Sequence, residues 1–498
     1  MHERLVAPAA GRCWRPLGLL LGLLLGASAA WAQKTSATAP LADTSRVFSV
    51  QSLADLVLAN HPIVRQAALL GDEARSQVLQ ARGGFDPRLS SDFRRKQFGG
   101  SEYYNNWGNE LKVPLWLAGI DLKASYDRYV GPYADPESGT PLAGLAGVGL
   151  TVPLGQGLLL DARRSTLRQA RVLVAAAEAD RVKQVNEVWL QAAKDYWTWY
   201  YTSRQATLLD EGVALADRRY RATARRVRLG DQAAIDSVEA QLTVQDRRVQ
   251  AEQLRAELNN ARLVLSNHLW TSDGRPAELP AYAVPQAPSL DSVGREVLSQ
   301  LADFAAAQHP ALRKLDAKIS QLGIEERYRR ELLKPRLNVS GTLLSQGNFY
   351  RAEVPASYNF SPGNYKVGVE AAFPLLMRAE RGKLQYTRIQ VREVGLERQQ
   401  SQRVIVTQVN TVYNTLRATG RQLVLQGRAI AGQQQLLQAE LQRFDLGEST
   451  IFLVNARETK LIELRIKQES LRASYEKARA ELSYYAGTGP VGLVRQAP

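Results

Sequence analysis

The chain of 498 residues has one cysteine, Cys13, close to its start. That excludes a disulfide framework and a Cys-based metal site in the rest of the protein. Beyond the first thirty or so residues no run of eighteen apolar residues occurs, so no transmembrane helix is expected there. Proline is missing from Gly155 to Arg275 and again from Leu375 to Thr488. Neither stretch therefore carries the residue that breaks a helix interior. Enzyme signatures are missing too. There is no phosphate-binding Gly-Lys loop, no H-E-x-x-H, no G-x-S-x-G and no Cys nucleophile.

The N-terminus carries Arg4, Arg12 and Arg15, a Leu/Gly run over Leu17–Leu25, and small residues at Ala30 and Ala32. This order reads as a secretory signal peptide over 1–32, cut after Ala32. An exported chain without a spanning helix enters a membrane only as a closed barrel. The formal net charge is +15. The Lys and Arg are spread along the chain rather than clustered, so the charge reads as solvated helix faces near anionic lipid, not as nucleic-acid binding.

The sequence repeats itself. Leu53-Ala54-Asp55 returns as Leu301-Ala302-Asp303, His61-Pro62 as His309-Pro310, and Pro87-Arg88-Leu89 as Pro335-Arg336-Leu337. All three pairs keep one offset. A second offset relates Arg164, Leu167 and Arg171 to Arg381, Leu384 and Arg388, and Leu229-Gly230-Asp231 to Leu446-Gly447-Glu448. Two units follow, 51–270 and 295–488, joined by a Pro-rich linker over 271–294 and flanked by an extension, 33–50, and a tail, 489–498. The first unit is longer by a segment around 107–130.

Within each unit a short helix ends before His-Pro, and proline then opens a second helix at its first position. Strands are expected over 88–154 and 336–375, where apolar and polar residues alternate, as Val367, Val369 and Ala371 do against Lys366, Gly368 and Glu370. Helices are expected over 162–227 and 232–268, then over 310–332, 379–444 and 449–485. A helix of about 65 residues spans roughly 98 Å, more than a globular domain of this size requires. The two shorter helices of each unit, placed end to end, approach that length.

Together these features resemble the TolC family of outer-membrane efflux proteins. The resemblance rests on the duplication, on the SLADLVLANHP and QLADFAAAQHP openings, on the Val-Pro-Leu and Phe-Pro-Leu strand ends, and on the LGDQAAIDSVEAQ and LGESTIFLVNARE turns. It implies an α+β membrane protein with two structural repeats per chain. A long antiparallel α-helical barrel continues a transmembrane β-barrel assembled from three chains, with four strands per chain as the family norm. A belt of linker and tail surrounds the helices midway. The implied function is the exit duct of a tripartite efflux or type I secretion system, without enzymatic activity or cofactor. The implied partners are two further copies (a homotrimer), a periplasmic adaptor, an inner-membrane pump of the RND, ABC or a similar class, and outer-membrane lipid. A periplasmic coiled-coil scaffold without a pore is the alternative.

By the same resemblance, Leu229, Gly230, Asp231, Leu446, Gly447 and Glu448 form the periplasmic entrance and dock the adaptor. Asp236, Phe444, Asp445, Leu453 and Asn455 are the candidates for narrowing the pore. Leu453 and Asn455 stand where well-known members carry aspartates. The aromatic cluster Tyr196, Trp197, Trp199, Tyr200 and Tyr201 reads as packing against the belt. His61 and His309 read as caps or turns.

Overall fold

A computed structural model describes residues 39–40, 47–132, 139–290, 293–346 and 360–489. The expected signal peptide over 1–32, most of the extension and nearly all of the C-terminal tail lie outside the described residues. In chain order the elements are β1 (Ala39–Pro40), β2 (Val47–Phe48), α1 (Val50–Asn60), α2 (Pro62–Arg82), β3 (Arg88–Phe98), β4 (Ser101–Pro114), β5 (Asp121–Val130), β6 (Leu145–Pro153), α3 (Ala162–Arg228) and α4 (Ala234–Ser266). The linker and second unit then add β7 (Ala277–Glu278), β8 (Val284–Pro285), α5 (Arg295–Gln308), α6 (Pro310–Glu331), β9 (Arg336–Ser345), β10 (Tyr365–Ala372), α7 (Arg378–Asp445) and α8 (Ile451–Ala486).

The helices form four columns. α3 runs for 67 residues and α7 for 68. α2 and α4 both pack along α3, while α6 and α8 both pack along α7. The short helices meet end to end. At the first joint the His61 and His268 rings stack 6.0 Å apart, and Arg65 donates from Nη2 to the Ser272 carbonyl at 2.9 Å. α3 also packs against α6 and α8, which joins the two units into one layer. Both His-Pro steps work the same way. Extended backbone at the histidine ends one helix, and its Nδ1 accepts from the backbone N–H two residues on, Ile63 at 3.3 Å and Ala311 at 3.2 Å.

At the opposite end from the α3–α4 and α7–α8 turns lies one six-stranded antiparallel sheet in the order β10-β9-β6-β5-β4-β3. The segment around 107–130, whose role the sequence left open, supplies two full strands of it. β4 starts earlier than the alternation suggests, at Ser101, and stops at Pro114, which has no N–H to give the ladder. Six strands per chain therefore replace the four that the resemblance implied, among the described residues. Side chains alternate across each strand, and the register aligns the alternation from strand to strand. Leu89, Phe93, Trp107, Leu111, Leu122, Val148, Leu150, Leu343, Val367 and Val369 share one face. Arg88, Asp92, Glu110, Lys112, Asp121, Lys123, Thr151, Asn338, Lys366 and Glu370 share the other. The polar face is laced by Lys112–Asp121 at 2.9 Å and Lys123–Glu110 at 3.7 Å, and Arg163 at the start of α3 reaches Asp121 at 2.8 Å. No described helix is long and apolar enough to cross a membrane.

Midway along the helices sits the main core. β7 and β8 of the linker pair in parallel with β1 and β2 of the N-terminal extension. Tyr196 fastens this layer to α3. Its hydroxyl donates to the Phe48 carbonyl at 2.8 Å and accepts from the Gln286 N–H at 3.1 Å. Tyr196, Trp197, Trp199 and Tyr200 are buried there among Leu53, Val57, Leu265 and Leu279, and Tyr201 is partly buried against them. Burial pushes the Tyr196 and Tyr200 phenols well above their ordinary range.

Candidate functional site: the helical tips and the ties above them

The two tips have the same backbone. α3 ends on the αR residue Leu229, followed by Gly230 at φ 81°, and α7 ends on Leu446, followed by Gly447 at φ 80°. Asp231 N–H bonds the Arg226 carbonyl at 3.0 Å and Gly230 N–H bonds Val227 at 3.1 Å. Glu448 bonds Arg443 at 2.9 Å and Gly447 bonds Phe444 at 3.1 Å. This double closure satisfies the last helical carbonyls and requires a left-handed residue, which glycine adopts without penalty. Around either glycine a Cβ would meet nothing within 4 Å, so conformation alone demands it.

Both tips expose apolar side chains at matching positions of the repeat. Leu229 is 70% exposed and Leu446 75%, and Ile235 and Phe452 also face outward. Three arginines, Arg225, Arg226 and Arg228, occupy the last turn of α3. Arg226 lies 5.9 Å from the centre of the Phe444 ring, which bridges the two tips. Asp236 stands half-buried in the first turn of α4, where the helix dipole favours a negative charge. Asp445 is exposed. Neither carboxylate takes part in an ion pair within the chain among the described residues. Leu453 is exposed, whereas Asn455 is buried.

Asn455 points into the helix layer. Its Oδ1 accepts from Arg219 Nη1 at 3.0 Å, and its Nδ2 approaches Thr243 Oγ1 at 3.4 Å. Beside it lies a buried ionic cluster. Glu458 of α8, 2% exposed, accepts from Arg219 of α3 at 2.8 and 3.1 Å and from Arg247 of α4 at 3.0 Å. Arg247 also donates to the Gly212 carbonyl at 2.7 Å. Three helices from both units are thus tied at one point, seven residues into α8. The α7/α8 pair is held otherwise. Gln426 and Gln433 donate to the Leu464 and Arg457 carbonyls, each at 2.8 Å. The Arg457–Glu440 ion pair at 3.7 Å adds to these amide-to-backbone bonds across the hairpin.

The profile of the outer membrane efflux protein family matches residues 53–269 and 301–488. The chain belongs to that family. The two matched blocks coincide with the two repeats and leave out the linker between them. No curated protein matches the chain. Solved structures of the same fold include the Campylobacter jejuni CmeC outer membrane channel, 13% identical over 88% of this chain and 86% of that one, with a TM-score of 0.61. The open state of the Neisseria gonorrhoeae MtrE outer membrane channel is 15% identical over 89% of each chain, with a TM-score of 0.63. The Vibrio cholerae outer membrane protein VceC is 11% identical over 88% of this chain and 96% of that one, with a TM-score of 0.61.

Within this family fold, sequence reasoning had named the tips and Asn455 but missed Arg219, Arg247 and Glu458. The signal available to it was slight. Glu458 and Arg247 stand among many charged residues at helical spacing, and nothing in spacing distinguishes a buried charge from a solvated one.

Proposed function

We propose that the protein is the outer-membrane exit duct of a tripartite efflux or secretion system, built as a homotrimer and acting as a passive conduit without catalysis. One observation carries this reading: a sheet with one mostly apolar face, Arg95 and Arg128 being its charged exceptions, and one polar face is mounted on helices of about 100 Å. Such a sheet suits a barrel with lipid outside and water inside. Its open edges are not tolerated in lipid, so one chain must be completed by others. Helices of this length suit a tunnel through the periplasm.

The exposed apolar side chains of Leu229, Ile235, Leu446 and Phe452, on turns held by Gly230, Asp231, Gly447 and Glu448, are the docking surface for a periplasmic adaptor. The adaptor in turn joins the duct to an inner-membrane pump. Asp236, Phe444, Asp445 and Leu453 line or pack the narrow end. Asn455 contributes indirectly, by holding Arg219 in place. Three symmetry-related Asp236 carboxylates would attract cations.

The test is single-channel conductance of the purified protein in planar bilayers. A heat-modifiable oligomer recovered from outer membranes that gives discrete channels is the expected result. Release as a soluble, non-conducting coiled coil would refute it. Asp236→Ala is expected to weaken blockade by multivalent cations; unchanged blockade would remove Asp236 from the pore.

A further inference from the structure

Among the described residues the six-stranded sheet has two edges with no partner, β3 and β10. All eleven residues of β3 are exposed, as are seven of the eight of β10, whereas the inner strands are mostly half-buried. Because the sheet is antiparallel throughout and its strand number is even, β3 and β10 run in opposite directions. Copies placed side by side therefore meet antiparallel at every seam; an odd number would force a parallel one.

The two edges also match in chemistry. On the polar face β3 presents Arg88 and Asp92, four residues apart, and β10 presents Glu370 and Lys366 at the same spacing in the opposite sense. With Arg88 opposite Glu370, Asp92 meets Lys366 while keeping its contact with Arg94, which lies at 2.8 Å. The same register brings Leu89 opposite Val369 and Phe93 opposite Tyr365 on the apolar face. Opposite charges and aromatic or aliphatic pairs directly across a ladder are the stabilising combinations. Moving the register by one residue would place every side chain on the wrong face.

We propose that β3 of one copy pairs with β10 of the next in this register. Three six-stranded sheets then close into an eighteen-stranded barrel instead of the twelve strands that four per chain would make. This rests on the trimer proposed above. Size supports it. Three copies of four helix columns, at roughly 8–10 Å between axes, span roughly 96–120 Å around the tunnel. Eighteen strands about 4.8 Å apart span about 86 Å, and strand tilt widens that further. Twelve would span about 58 Å before tilt and would need a steeper tilt to meet the same tunnel.

The experiment uses the full-length protein in outer membranes, in a Cys13→Ser background. Arg88→Cys/Glu370→Cys and Asp92→Cys/Lys366→Cys are expected to give covalent dimers and trimers on oxidation, reversed by reductant. Arg88→Cys/Val369→Cys, on opposite faces, is expected to give none. Native mass spectrometry of the reduced sample reports the number of chains separately. Three chains with no cross-link from either same-face pair would overturn the seam and leave the trimeric duct standing. A number other than three would overturn the trimer and the strand count with it. If the cysteine variants do not reach the membrane, charge reversal replaces them. Lys366→Glu should lower the melting temperature of the assembled oligomer, and adding Asp92→Lys should restore it; no restoration overturns the seam.

Discussion

Removing the Glu458 carboxylate should loosen the tip end of the helix layer far more than removing any surface charge. Its side chain is 2% exposed, and that of Arg247 is 6% exposed. Arg219, at 14%, is the one member with some access to water. In Glu458→Ala, Arg219 can turn toward solvent, but Arg247 keeps only the Gly212 carbonyl and remains a buried, uncompensated cation. Breaking a buried pair from one side costs about 3–5 kcal/mol. The neighbourhood links α3, α4 and α8, so the loss appears as local opening of these segments rather than as global unfolding. Native-state hydrogen exchange of the detergent-solubilised protein reads it directly. A loss of about 4 kcal/mol accelerates exchange at protected amides around 212–219, 243–251 and 455–462 by roughly a thousandfold. The α3 amides around 189–200, packed against the linker, should not change. Acceleration below about threefold at 455–462 would refute the argument, because the charges would then have to be effectively solvated. A companion variant checks the cause. Replacing all three groups, Arg219→Leu, Arg247→Leu and Glu458→Leu, should recover most of the protection, since an apolar replacement leaves no charge stranded.

Other outcomes follow from the same structure. Burial pushes His309 down to about 4, and its Nδ1 must be unprotonated to accept from Ala311. Its folded value thus lies below the unfolded one, so the stability it contributes is full above about pH 6.5 and is lost as pH falls through about 4. Thermal unfolding of the wild type should show that fall, and His309→Asn, which can cap but not titrate, should flatten it. Gly230→Ala and Gly447→Ala meet no steric contact but force a left-handed residue with a Cβ, at about 1–2 kcal/mol each; limited trypsin digestion after Arg228 and Arg443 should quicken severalfold, with the belt untouched. Trp199→Ala opens a cavity in the core midway along the helices, where the ring is 2% exposed, and should cost about 3–5 kcal/mol. The expected readout is a lower melting temperature with faster proteolysis of the linker near 277–285.

Much of this architecture could be read along the chain. The His-Pro steps announced two helix joints because proline forbids continuation on one side and welcomes a start on the other. The Leu-Gly-Asp and Leu-Gly-Glu turns announced two tips because only glycine closes them without strain. Both signals are local, and both landed within a few residues of the observed ends. The aromatic run on α3 was read as packing, and four of its five rings are buried against the linker.

The strand count was not legible in the same way. Alternation marked 107–130 as strand-like, but a hairpin folded elsewhere would alternate equally well. Only the ladder from Lys112 to Lys123 and from Asp121 to Thr151 places it inside the sheet. Asn455 shows the same limit. The family resemblance pointed it to the pore, while its hydrogen bonds turn it into the helix layer. Sequence alone determined the duplicated unit, because the same motifs return at constant offsets, and its helix lengths and turns, because those depend on residues a few positions apart. Tertiary structure decided the order of the strands and the meeting of Arg219, Arg247 and Glu458. Those depend on which surfaces from distant parts of the chain exclude water from one another.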